Sequence, residues 1–156
     1  MEKPLELNYE DRVTPENITV LAYRQIFVFG SNLAGKHGAG AAKLANLEGW
    51  AVWGKGCGVH LLGKFGSFAI PTKGLYIETI PLDWIKYYVD YFIEYAKAFP
   101  ELTFLVTEIG CGLAGYQPEQ IAPMFKDVVE LPNVKLPQRF WDILSPKPAQ
   151  DDFSTR

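Results

Sequence analysis

Hydrophobic positions along the chain follow two periods, one typical of strands and one typical of helices. Short runs of β-branched and aromatic residues predict strands at residues 18–21, 26–29, 50–53, 67–70, 103–107 and 134–136. A helix that buries one face is predicted where apolar residues recur at spacings of three and four, at Ile85, Val89, Phe92, Ala96 and Phe99. Shorter helices are predicted from about 38 to 47 and from 118 to 129, with an irregularity at Pro123. This alternation of strands and helices indicates an α/β fold.

The pattern covers a single domain. With 156 residues, 48% of them hydrophobic, the chain is long enough for one core and short for two. We place the domain at residues 16–144, between an irregular N-terminal segment at 1–15 and a flexible tail at 145–156. The sequence has no run of about 18 apolar residues and no signal-like N-terminus, so we expect a cytoplasmic protein without membrane contact. Its two cysteines, Cys57 and Cys111, fit a reducing compartment.

Charge is distributed unevenly along the chain. The formal net charge of −3 argues against a nucleic-acid polymer as partner, because such binding needs a broad basic face. Between Gly30 and Leu75, however, five lysines stand against the single acid Glu48, so this glycine-rich segment carries +4 and the rest of the chain −7. A flexible cationic segment in an acidic protein favours a small anionic ligand. The alternative is that these lysines are ordinary solvated side chains.

Residues Gly30–His37 read GSNLAGKH and match most, but not all, of the P-loop, a phosphate-binding motif. A P-loop needs a Ser or Thr after its lysine to ligate magnesium, and here His37 takes that position. The later strand at 103–107 runs into Glu108 and offers no second magnesium anchor of the usual kind. The strings GAGAAK and GKGCGV also lack the third glycine of a dinucleotide fingerprint. The sequence therefore argues against a P-loop ATPase and against a Rossmann dehydrogenase.

Both motifs bind phosphate where a strand runs through a glycine turn into a helix. This arrangement occurs twice in the sequence. The segment IFVFGSNLAGKHGAGAA runs from a strand through glycines into a helix, and TEIGCGLAGYQPEQ does the same. Helix N-termini and glycine turns expose main-chain N–H groups that bind phosphate without magnesium. If both turns lie at the same edge of one sheet, they would enclose a diphosphate from two sides.

These same strings resemble the macro domain family. The first segment, NITVLAYRQIFVFGSNLAGKHGAGAAKLA, is similar to the family's first strands and glycine-rich helix start, and Gly112–Tyr116 matches its later G-x-x-G-Y loop. The likeness spans roughly residues 16–142, and the strings FGSNLAGKHGAGAA, FAIPTK and IGCGLAGY look like a divergent bacterial and phage branch. The resemblance implies a three-layer α/β/α sandwich around a mixed sheet that binds ADP-ribose. Some members hydrolyse ADP-ribosyl esters or terminal phosphates.

The resemblance also implies roles for individual residues. Asn32 would face the distal ribose, the glycines of both loops would approach the diphosphate, and Phe140 or Trp141 would stack on adenine. Asn17 stands where the family commonly has an Asp that reads the adenine amino group. The implied ligand-binding set is Asn17, Gly30, Ser31, Asn32, Lys36, Gly38, Ala39, Gly40, Gly110, Cys111, Gly112, Leu113, Ala114, Gly115, Tyr116 and Phe140.

Catalysis is less clearly indicated than binding. Hydrolytic members of the family commonly place an acid just after the first glycine run, where this chain has Ala41 and Ala42. If a bond is cleaved, the candidate catalytic residues are Asn32, His37, Lys73 and Glu108. A Cys111 nucleophile and a zinc site built from Cys57, His60, Cys111 and His37 are weaker alternatives, and we expect neither a metal nor a cofactor.

Two functions follow as hypotheses. The first is binding of ADP-ribose or a related nucleotide metabolite, with hydrolysis of an ADP-ribosyl or terminal phosphate bond left open. The second is a non-catalytic module that sequesters a nucleotide or contacts another protein, in a phage or bacterial defence setting. The oligomeric state stays open at this stage.

Overall fold

The computed structural model describes residues 9–145, so residues 1–8 of the segment predicted as irregular and residues 146–156 of the predicted flexible tail lie outside this range. Five strands form the sheet: β1 (Gln25–Asn32), β2 (Gly58–Leu62), β3 (Phe65–Lys73), β4 (Thr103–Val106) and β5 (Val134–Lys135). The helices are α1 (Gly40–Leu47), α2 (Leu82–Ala98), α3 (Pro118–Ile121) and α4 (Gln138–Leu144), with 3-10 segments at Glu10–Arg12 and Ala122–Glu130.

The sheet is mixed, in the order β2-β3-β1-β4-β5. Strand β1 lies at its centre, parallel to both β3 and β4, and its Val28 is level with Phe68 on one side and Val106 on the other. Strand β5 is parallel to β4, whereas β2 pairs with β3 in the antiparallel direction and forms an edge. The predicted α/β fold around a mixed sheet is confirmed.

Side chains of the central strands alternate between two hydrophobic cores, as the two-residue period of a strand requires. On one face Ile26 and Val28 pack with α2, α4 and the Ala122–Glu130 segment. On the other, Phe27 and Phe29 pack with Ala42 and Ala45 of α1 and with Trp50. Helices or apolar segments thus cover both faces of the sheet, and the arrangement has three layers.

The direction of the connections determines where a ligand can bind. The chain leaves β1 toward α1 on one face, but it leaves β3 toward α2 and β4 toward α3 on the opposite face. The loop after β1 therefore diverges from the loops that follow its two neighbours, β3 and β4. In open α/β sheets, crevices for ligands form where neighbouring connections separate in this way.

Two predicted strands are wrong. Residues 18–21 and 50–53 form no strand, although Ile18 and Trp50 are buried in the smaller core. Both residues contribute apolar side chains to the core without pairing their backbone in the sheet. Strand β2 was not predicted, because an edge strand that exposes Leu61 and Leu62 has little apolar alternation.

The predicted helix from 118 to 129 is α-helical over only its first turn. It begins as α3 and continues as a 3-10 segment from Ala122 to Glu130. Pro123 lacks the N–H that a regular helix would use, which accounts for the change. Within residues 9–145, no helix is both long and apolar enough to cross a membrane.

Residues 9–15 pack against the domain instead of lying free of it. Val13 forms a parallel bridge with Leu136, and the ring of Tyr9 stacks on Trp141 with centroids 5.0 Å apart. The guanidinium of Arg12 lies 4.8 Å from the centre of the Trp141 ring. It donates to main-chain carbonyls of the segment that leads into β5: Val128, Val129, Leu131 and Val134.

Candidate functional site

A cavity of about 460 Å³ lies at the carboxyl ends of β1, β3 and β4. Its walls come from the loops that follow these three strands and from the first turn of α1. Most residues selected from the sequence line it: Gly30, Ser31, Asn32, Lys36, Gly38, Ala39, Gly40, Lys73, Glu108, Gly110, Cys111, Gly112, Leu113 and Ala114. The two glycine-containing loops, far apart in the chain, thus border one cavity.

The first wall is the N-terminus of α1. Ala39 occupies the N-cap position with an extended backbone and has no side chain to cap the helix. The first helical hydrogen bond runs from the N–H of Lys43 to the carbonyl of Ala39, at 3.1 Å. The N–H groups of Gly40, Ala41 and Ala42 consequently have no acceptor among the described residues, and all three residues line the cavity. Free amides and the positive end of the helix dipole favour an anion here.

Glycine is required at the start of this helix for a conformational reason. Gly40 has a φ of +58°, which other residues adopt only with strain, and a methyl group at this position would contact nothing. The backbone conformation, and not close packing, therefore explains the glycine. The absence of side chains here also leaves the main chain open to the cavity.

The second wall is the loop between β4 and α3. The N–H groups of Gly115 and Tyr116 donate to the carbonyls of Gly112 and Gly110, at 3.0 and 2.9 Å, and close the turn. The N–H groups of residues 112–114 have no acceptor among the described residues. All three residues line the cavity. A second set of unpaired amides thus borders the same space as the start of α1.

Asn32 shapes the first loop. Its Oδ1 accepts a hydrogen bond from the N–H of Lys36 at 2.9 Å, and its Nδ2 donates to the Lys36 carbonyl at 2.8 Å. The side chain is buried, and both ends of its amide are engaged. One Nδ2 proton and one Oδ1 lone pair remain for a ligand. The ribose contact implied by the resemblance would use only this remaining capacity.

Two lysines supply positive charge to the cavity. Lys36 comes from the loop after β1 and Lys73 from the end of β3, and both line the wall. Neither Nζ has an acceptor within residues 9–145. Both ammonium groups are therefore available to an anionic ligand.

Glu108 is the acid of the cavity wall, and Arg139 from the first turn of α4 holds its carboxylate. Arg139 Nε contacts Oε2 at 2.6 Å, and Arg139 Nη2 contacts Oε1 at 2.7 Å. This forked hydrogen bond from Arg139 lowers the pKa of Glu108 from its usual value, although partial burial opposes it. The carboxylate is ionised at neutral pH and is poorly suited to act as a general base.

Cys111 is a thiol in this environment. Burial, reinforced by the nearby negative charge of Glu108, raises the pKa of Cys111 to about 11. Its Sγ lies 3.4 Å from the carbonyl oxygen of Ile109. A protonated thiol is a weak nucleophile, so the cavity does not activate this cysteine.

His37 lies outside the cavity wall, and its role as a catalytic candidate is corrected. Its ring is only 1% exposed and packs edge-on against Phe29. Nε2 lies 2.8 Å from the carbonyl of Val52 and 3.1 Å from that of Lys55, so we assign the ring proton to Nε2 as a donor to both. Nδ1 is buried without a partner among the described residues. His37 ties its loop to residues 52–55.

Other residues of the predicted set also lie away from the cavity. Phe140 and Trp141 are fully buried in the larger core, so neither can stack on adenine. Asn17 is exposed and does not line the cavity. Gly115 and Tyr116 are likewise absent from the wall, and the Tyr116 hydroxyl donates to the carbonyl of Ile80 at 2.7 Å. Gly115 and Tyr116 thus stabilise the loop through their hydrogen bonds without lining the cavity.

Several wall residues were missed at the sequence level. Thr72 and Thr107 line the cavity at the ends of β3 and β4, and their hydroxyls donate to the carbonyls of Ser31 and Val28. Ile77 lines it from a turn, with a φ of +66°. The threonines stand in the strings IPTK and VTE that end two predicted strands, a position that could have identified them.

Among residues 9–145, no group of three or more His, Cys, Asp or Glu side chains is arranged to hold a metal ion. Comparison of the chain with protein-family models, with curated proteins and with solved structures gives no match. The site is therefore interpreted from its own geometry.

Proposed function

We propose that the cavity binds a nucleotide with a diphosphate group, such as ADP-ribose, and that main-chain amides hold the phosphates. The observation that carries the proposal is the convergence of two sets of unpaired N–H groups, at residues 40–42 and 112–114, on one cavity. Amides at a helix N-terminus and in a glycine turn bind phosphate without a metal ion.

The size and charge of the cavity support the same ligand class. A volume of about 460 Å³ lies within the range of small-molecule sites, roughly 300–1,000 Å³. Lys36 and Lys73 add positive charge beside the amides, although the chain as a whole is acidic. The resemblance of both loops to those of macro domains narrows the proposed ligand to ADP-ribose and its relatives.

The side chains of the cavity favour binding over cleavage. Glu108 is held as a carboxylate by Arg139, Cys111 is protonated, and His37 is buried outside the wall. Ala41 and Ala42 offer no acid after the first glycine run. General base catalysis needs a group with a pKa near the working pH that can reach a water molecule, and none of these groups meets that requirement. The proposed activity is therefore ligand binding without turnover.

Calorimetric titration with ADP-ribose, ADP, AMP and NAD tests the proposal. We expect the ligands with a diphosphate to bind and AMP to bind at least about tenfold more weakly, because it cannot reach both sets of amides. Mass spectrometry of the recovered ADP-ribose should find it unchanged. The proposal fails if no ligand of the series gives heat or a thermal shift at millimolar concentration. Release of AMP with ribose 5-phosphate, or of ADP with ribose, would instead establish a hydrolase.

Paired lysine variants locate the site. Lys36→Ala removes a cavity cation, whereas Lys43→Ala removes an exposed cation of α1 that does not line the cavity. The first change should weaken ADP-ribose binding by about fivefold to tenfold, and the second by less than about twofold. Equal effects of the two would indicate a general charge effect and would contradict a site at the cavity.

A further inference from the structure

Glu108 is an unexpected residue in a cavity that would hold phosphate. Free amides and two lysines make the rest of the wall attractive to anions, yet this carboxylate lines the same space. An ionised carboxylate repels a phosphate group placed beside it. A ligand that fits the whole cavity must therefore present hydrogen-bond donors, not phosphate oxygens, to Glu108.

The carboxylate is held in a fixed orientation and keeps part of its capacity to accept hydrogen bonds. Arg139 uses one lone pair on each oxygen through its forked contact, at 2.6 and 2.7 Å. Each oxygen has a second lone pair, and no other described group donates to either oxygen. The side chain of Glu108 is 40% exposed, so these lone pairs are accessible from the cavity side.

The sheet order places this acceptor two strands from Lys73 and one strand from Lys36. Strands lie in the order β3-β1-β4, with Lys73 at the end of β3, Lys36 after β1 and Glu108 after β4. Neighbouring strands are about 4.8 Å apart, so the ends of β3 and β4, which carry Lys73 and Glu108, are separated by roughly 10 Å. A sugar phosphate has a charged end and a hydroxyl-bearing end separated by a distance of this order. A ligand that is phosphate alone leaves the Glu108 side unsatisfied.

We infer that Glu108, held in place by Arg139, accepts hydrogen bonds from a vicinal hydroxyl pair of the ligand and so selects phosphorylated sugars over simple phosphates. A carboxylate can accept from both hydroxyls of a ribose diol at once, and such charge-assisted bonds are stronger than neutral ones. This inference rests on the proposed function, because it assumes that the amides and lysines hold the phosphates.

The test compares the wild type with Glu108→Gln by calorimetry. The ligands are ADP-ribose, two analogues that each lack the 2-hydroxyl of one ribose, and inorganic pyrophosphate. The wild type should bind one deoxy analogue about tenfold more weakly than ADP-ribose, the usual effect of one hydrogen bond to a charged group. Glu108→Gln should bind that analogue and ADP-ribose equally well. Its affinity for pyrophosphate should equal or exceed that of the wild type, because a repulsive charge is gone.

Glu101→Gln serves as the matched control, since Glu101 is exposed and does not line the cavity. It should retain the wild-type preference. Equal affinity of the wild type for ADP-ribose and both analogues would overturn the inference, as would a Glu108→Gln variant that still discriminates. A parallel loss of pyrophosphate and ADP-ribose affinity in Glu108→Gln would also overturn it, because it would indicate a purely structural role. If the wild type binds neither ADP-ribose nor pyrophosphate, the proposed function itself has failed.

Discussion

The side chain of Asn32 and the backbone of Lys36 are joined by two hydrogen bonds, one from the Lys36 N–H and one to the Lys36 carbonyl, at 2.9 and 2.8 Å. The pair closes the loop after β1 into a ring. The loop therefore reaches the start of α1 in a defined shape, and Lys36 lines the same cavity as residues 40–42. Asn32 acts on the ligand mainly by fixing this shape.

Replacing Asn32 by Asp should weaken ligand binding. The carboxylate can still accept from the Lys36 N–H, but it cannot donate to the Lys36 carbonyl, and it adds a negative charge to the cavity. We expect ADP-ribose affinity to fall at least tenfold in calorimetry, with about 1–3 kcal/mol of lost stability. Asn17→Asp makes the same chemical change at an exposed position outside the cavity and should do neither. Unchanged affinity in Asn32→Asp would contradict the role given to this residue.

Gly35 should be intolerant of any side chain. Its φ is +70°, and an added Cβ would lie 2.3 Å from the carbonyl carbon of Gly54 and 2.5 Å from the backbone nitrogen of Lys55. Because these neighbours are backbone atoms, the loops would have to separate. Gly35→Ala should lower the free energy of unfolding by about 2 kcal/mol or more, which lowers Tm by roughly 5 °C.

Gly38 provides the control for this change. An added Cβ there meets nothing within 4 Å, and its φ is not in the left-handed region. Gly38→Ala should shift Tm by less than about 2 °C. Similar Tm values for the two variants would mean that residues 35 and 54 do not pack together as described.

Cys111 should react slowly with alkylating agents at neutral pH. With a pKa of about 11, only about 0.1% of this thiol is ionised at pH 8, and the thiolate is the reactive form. In a Cys57→Ser background, mass spectrometry should show an iodoacetamide rate that rises about tenfold per pH unit between pH 7 and pH 10. A rate that levels off below pH 9 would show that the thiol is activated, which would reopen nucleophilic catalysis.

Arg12 should be essential for docking residues 9–15 against the domain. Its guanidinium donates to several carbonyls ahead of β5, an arrangement that the single ammonium of lysine cannot reproduce. Arg12→Lys should cost about 2 kcal/mol or more in urea denaturation, because buried carbonyls lose their donors. Arg24→Lys, at an exposed position beside Tyr23, should change stability by less than about 0.5 kcal/mol. Equal stability of both variants would refute this role.

The sequence predicted strands and helices best where the hydrophobic period of a segment matches the residues that the segment buries. The run at 26–29 became β1, the run at 67–70 lies within β3, and the apolar spacing of three and four became α2. In each case one element supplies its own pattern of buried residues, as at Ile85, Val89 and Phe92. The alternation of such elements was sufficient to predict the fold class.

Strands were wrongly predicted where a segment buries apolar side chains but its backbone pairs with no strand of the sheet. Ile18 and Trp50 are as apolar as strand residues and are buried, yet their segments do not join the sheet. The predicted place of Phe140 in the site failed for a related reason. An aromatic residue near the C-terminus fits either a core or a ligand pocket, and only packing against Phe125 decides between them.

The contact between Glu108 and Arg139 illustrates what sequence spacing cannot show. The two residues lie 31 positions apart, on a loop and on a helix that the fold brings together. Glu108 could be singled out because it follows a strand. Its partner, and hence the state of its carboxylate, depends on where α4 packs.

The central claim is that amides from two distant loops hold one diphosphate, and amide chemical shifts measure this directly. In a titration of isotope-labelled protein with ADP-ribose, we predict that the resonances of residues 40–42 and 112–114 shift together and give one dissociation constant. Resonances at Asn17 and in the exposed part of α2 should stay in place. Shifts confined to one loop, or centred elsewhere on the protein, would contradict a shared diphosphate site.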